Sequence, residues 1–93
     1  MGKCKEIKRW IDEESDFCRP CLLPPLMAWY KEELEERGYR ELSQEIDRAS
    51  QTGDENLVAE TLDSIKEKVP QDLRERLEEF DCTAQAFAEE QEK

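Results

Sequence analysis

Residues 39–70 read YRELSQEIDRASQTGDENLVAETLDSIKEKVP, and this stretch decides the fold. Tyr39, Leu42, Ile46 and Ala49 recur at intervals of three and four residues, the repeat of one helix face, and Val58, Leu62, Ile65 and Val69 resume the pattern between Gly53 and Pro70. Gly53 supplies the left-handed residue that stops a helix. Asp54, or Thr52 with Glu55 three positions on, supplies an oxygen for the unpaired N–H groups that open the next helix. Lys66 and Lys68 suit the negative end of that second helix. The stretch therefore predicts two amphipathic helices joined by a short turn.

The same periodicity extends in both directions, and nothing reads as an alternating strand. Toward the C-terminus, Leu73, Leu77, Phe80, Ala84 and Phe87 form one stripe of a long helix whose acidic tail, about 88–93, is expected to fray. Toward the N-terminus, Pro25 suits the first turn of a helix that carries Leu26, Met27, Tyr30 and Leu34 inward and ends at Gly38. Pro20, Pro24 and Pro25 each disfavour helix in the residue before them, so a stiff loop is expected from about Ser15 to Leu23. Cys4, Ile7 and Ile11 mark a first helix, about Lys3 to Glu14, with Cys4 on its inner face and Trp10 at the edge. The fold class is all-α. The expected architecture is a bundle of about five helices with antiparallel neighbours and a proline-rich cysteine loop between helices 1 and 2.

Leu42, Ala49, Gly53, Val58, Leu62, Ile65 and Pro70 fall at spacings that resemble one tetratricopeptide helical hairpin, with Glu45 at a position that is usually apolar. The resemblance covers 42–70 alone. A single unit of that kind cannot bury its own face, so the chain is read as a bundle rather than a repeat array.

Ninety-three residues make one domain, here with 42% charged and 37% hydrophobic residues and a net charge of −11. So strongly acidic a surface repels nucleic acid and anionic membranes, and no apolar run spans a bilayer, which leaves a protein as the expected partner. Gly2 invites myristoylation, but Glu6 stands where that acceptor pattern prefers Ser or Thr. The start lacks the hydrophobic segment of a secretory signal, so the expected location is cytoplasmic. Residues 1–10 carry +3 and the remainder −14. The aromatic pairs Trp10 with Phe17 and Trp29 with Tyr30 are read as core rather than as a docking face.

The chemistry lies in Cys4, Cys18, Cys21 and Cys82. Cysteines two apart can place both sulfurs on one metal, and two more complete a tetrahedron, so all four are expected to hold structural zinc in a non-enzymatic adaptor or regulator. An iron–sulfur cluster accepts the same ligands. The Cys18-Arg19-Pro20-Cys21 run is similar, over those four residues, to the active-site motif of thioredoxin-like proteins, and a dithiol role is the further alternative. The absence of histidine removes mixed sulfur and imidazole sites and the usual general base. Cys82 lies about 180° from Phe80 and Ala84 on an unbroken helix, so its participation is expected to need a break near Asp81, where Asp81 or Thr83 caps a new helix. Without that break Cys4, Cys18 and Cys21 remain, with Asp16 or water as a weak fourth ligand.

Overall fold

Within residues 36–71 the connections between helices are closed by local devices that the chain's chemistry provides. After the helix Arg19–Glu36 (α2), Gly38 takes φ of 90°, while Gly38 N–H donates to Glu35 O at 3.2 Å and Tyr39 N–H to Leu34 O at 2.8 Å. That pair of bonds is a Schellman cap, and it turns the chain into the helix Arg40–Thr52 (α3). Gly53, with φ of 76°, ends α3, and the Asp54 carboxylate accepts from Asn56 N–H at 3.0 Å and Leu57 N–H at 3.2 Å to open the helix Glu55–Lys68 (α4). Pro70 then separates α4 from the helix Gln71–Gln91 (α5). A short helix Ile7–Glu13 (α1) precedes them.

The computed structural model describes residues 4–13 and 19–91, leaving aside the side chains of residues 19–21, 89 and 91. Among the described residues the protein is all-α, with these five helices and no strand. Each helix from α2 onward packs on its successor, α2 also packs on α5, and α1 lies against α4. The buried apolar residues form one cluster that includes Ile7, Ile11, Leu26, Tyr30, Leu34, Ile46, Leu62, Ile65, Leu73 and Leu77. The radius of gyration, 12.5 Å, matches the roughly 12 Å of a compact chain of this length.

Several expectations are corrected. α2 begins at Arg19, so residues 19–23, expected on a loop, lie within helix and place Pro24 and Pro25 in its interior, whereas Cys18 lies outside the described residues. The first four N–H groups of any helix lack an intrahelical partner, so Pro20 removes nothing; Pro24 and Pro25 remove two bonds. Leu22, Leu23 and Leu26, all buried, anchor this turn while the two prolines face solvent. α1 starts at Ile7, leaving Cys4 in a non-helical lead-in instead of on the helix face. α5 continues without a break through Asp81 and Cys82 as far as Gln91. Ala88, not Phe87, extends its buried stripe, and Phe87 is 49% exposed.

The aromatic expectation holds where it can be followed. Trp10 and Tyr30 are buried, and Trp29 packs on Phe80 with ring centroids 5.9 Å apart. Arg76 stacks its guanidinium over the same Phe80 ring at 5.3 Å. Phe17 lies outside the described residues.

Candidate thiol site and buried ionic network

Cys4 and Cys82 form a disulfide with their Cα atoms 5.3 Å apart. Cys82 sits on the solvent side of α5, as an unbroken helix requires, and the lead-in segment comes to it. Two clamps bring it there. Lys5 N–H donates to Gln85 Oε1 at 3.1 Å, and Gln85 Nε2 donates back to Lys5 O at 2.7 Å, tying the lead-in to α5 one turn beyond Cys82. Asp63 of α4 receives Ile7 N–H at 3.0 Å on one carboxylate oxygen and Lys8 N–H at 2.9 Å on the other. A carboxylate from another helix thus caps α1, which explains why that helix begins at Ile7 and not earlier.

Asp63 is also the outer member of a buried ionic chain. Lys66, one turn further along α4, lies 3.1 Å from Asp63 and donates to the Asp81 carboxylate of α5. The other oxygen of Asp81 accepts from Tyr30 Oη of α2 at 2.5 Å. Four helices are linked in this way, and no buried side-chain nitrogen or oxygen among the described residues is left without a partner. Burial pushes the Asp81 carboxyl up to about 6, although Lys66 and the Tyr30 hydroxyl both pull it down. Burial depresses the Lys66 ammonium, but Asp81 and Asp63 more than offset this and hold it above the usual lysine value. Tyr30 is raised well above the ordinary phenol by burial and by the neighbouring Asp81 charge.

The disulfide and this network border one open groove of about 1100 Å³ between α4, α5 and the lead-in. Among the described residues, eight carboxylate residues and four cationic ones line it, a balance of −4. Of the four cysteines named in the sequence, the structure joins Cys4 and Cys82. Cys21 stands in the first turn of α2 with its side chain outside the described residues, and Cys18 lies outside them altogether. In the bonded state neither Cys4 nor Cys82 offers the thiolate that zinc or an iron–sulfur cluster needs. Among the described residues no group of three or more Cys, His, Asp or Glu is arranged to hold a metal ion, and no helix is long and apolar enough to cross a membrane.

Sequence reading missed Asp81 and the inward course of Lys66. The signal was present: Asp81 stands on the same face as Leu73, Leu77, Ala84 and Ala88, and Lys66 stands four residues after Leu62. Comparison of the chain with family models, curated proteins and solved structures finds no match.

Proposed function

We propose that the protein is a non-enzymatic helical interaction module whose N-terminal segment is fastened or released by thiol oxidation at Cys4 and Cys82. One observation carries this reading: the lead-in is clamped by Gln85 so that Cys4 meets Cys82 on the outer side of α5. A pair on the surface is open to exchange with external thiols, unlike a disulfide sealed in a core. In a cytoplasmic setting the glutathione and thioredoxin systems keep such a pair reduced, so oxidation there is an event rather than a permanent state. The acidic surface suits a protein partner with a basic face and disfavours nucleic acid.

Structural zinc held by Cys4, Cys18, Cys21 and Cys82 is the second reading, favoured by the same meeting of the first and last cysteines, with an iron–sulfur cluster as its variant. It requires the disulfide to be open.

The test is equilibration in glutathione buffers of graded potential, followed by alkylation, mass spectrometry and metal analysis of the reduced fraction. Reversible formation of the Cys4–Cys82 bond in metal-free protein, with faster amide exchange over 7–13 after reduction, supports the redox reading. Stoichiometric zinc in the reduced protein, lost on oxidation, moves the conclusion to the metal site. Iron with visible absorption moves it to the cluster. Failure of the bond to form at any potential removes the redox reading.

A further inference from the structure

The disulfide does not stand on a neutral surface. It lines the groove whose walls carry, among the described residues, twice as many carboxylate residues as cations, including Glu60 and Glu67 from α4 and Glu75, Glu78 and Glu79 from α5. Any thiol that reduces this bond must bring its sulfur into that field as a thiolate. Salt screens such a field over about 10 Å at 0.1 M, so charges within the groove act on the incoming reagent while more distant ones do not.

We infer that the Cys4–Cys82 disulfide is selective for cationic thiols and excludes anionic ones, so that its physiological reductant presents its reactive cysteine from a basic surface. The inference rests on the redox reading above and names the substrate class of the same site. In the reaction a thiolate attacks Cys82 Sγ, the sulfur of the more exposed residue. The Cys4–Cys82 bond breaks, its electron pair leaves on Cys4 Sγ, and that sulfur takes a proton from water. A second thiolate then attacks the reagent's sulfur in the mixed disulfide and releases Cys82. In sum two thiols are oxidised to one external disulfide and the protein gains two electrons. Free glutathione, which carries net negative charge, meets repulsion in this groove, whereas an aminothiol, whose ammonium balances its thiolate, is spared that repulsion.

The experiment measures the rate constant for loss of the disulfide in the intact protein with cysteamine, 2-mercaptoethanol and glutathione. Each rate is divided by that of the same thiol on hydroxyethyl disulfide, which removes intrinsic nucleophilicity. At low salt the normalised order is cysteamine, then 2-mercaptoethanol, then glutathione, with about tenfold between the extremes, and the spread collapses toward unity near 1 M salt. Glu60→Gln with Glu75→Gln, both at exposed positions, narrows the low-salt spread without altering the circular dichroism spectrum. Equal normalised rates at low salt, or a spread that salt leaves unchanged, overturn the selectivity while leaving the redox reading in place. A protein in which the disulfide never forms overturns that reading instead.

Discussion

Lys66 of α4 and Asp81 of α5 form an ion pair with only 7 and 2% of their side chains exposed. Two charges taken so far out of water are stable only because each has further partners, Asp63 for the ammonium and the Tyr30 hydroxyl for the carboxylate. Removing one member strands the other. Asp81→Ala is therefore expected to cost about 3–5 kcal/mol, and Lys66→Met a similar amount. The double variant Lys66→Met with Asp81→Leu should lose clearly less than the sum of the two singles. Urea unfolding of all variants in one redox state provides the measurement, and strict additivity would contradict the coupling.

The same carboxyl gives a pH signature of unusual sign. Its folded-state value of about 6 lies above the ordinary 3.8, so the folded protein holds the Asp81 proton more tightly than the unfolded chain. Such a group adds stability that is fully present below the unfolded value and disappears as pH rises through the folded one. Lys66, also raised, loses its contribution only at alkaline pH. Relative to Asp81→Asn, the natural protein should gain about 2 kcal/mol between pH 7 and pH 4. Unfolding free energies of the two proteins across that range decide the matter; a constant difference would show that Asp81 is not held in this way.

The disulfide links positions 78 residues apart, and closing so long a loop removes much of the unfolded chain's freedom. Reduction, or Cys82→Ser, is expected to lower stability by about 4 kcal/mol. Urea midpoints of the oxidised and reduced protein, compared at equal slope, measure the loss.

Asp63 serves α1 and Lys66 at once. Asp63→Ala should cost about 2–4 kcal/mol, since it removes a cap and one partner of a buried ammonium. Its particular sign is local: in a Trp29→Phe background the remaining Trp10, now buried, should shift its emission to longer wavelength before global unfolding. Emission that moves only with the global transition would show that the cap does not hold α1.

Pro24 and Pro25 are tolerated in α2 at the expense of two backbone bonds. Both face solvent, so Pro24→Ala with Pro25→Ala is expected to stabilise the protein by about 1–2 kcal/mol, the restored helix bonds outweighing the entropy returned to the unfolded chain. Thermal melting reads this directly, and a lower midpoint would mean that the prolines hold the entry to α2 rigid.

How far the structure was legible varied with the kind of signal. α3 and α4 were readable because apolar period, Gly53 and the Asp54 cap all agree, so local preference and packing point the same way. The start of α2 was not, because Leu22, Leu23 and Leu26 reach the core and outweigh the helix-breaking tendency of the prolines. Cys82 followed the helix geometry that placed it outward, and what reading along the chain did not supply was the path of the lead-in, which Gln85 and Asp63 determine from far away in sequence. Asp81 was read as a candidate cap at a helix break, although its place among Leu77, Ala84 and Ala88 marked it as a carboxylate that turns inward on an unbroken helix.

Joining residue 4 to residue 82 makes nearly the whole polypeptide a covalent ring. A protease that cuts one peptide bond within it opens the ring without dividing the molecule, which stays a single species one water heavier until a thiol separates the pieces. In its oxidised form the protein can thus survive a nick in any surface turn with both parts still held side by side, and the reduced form has no such protection.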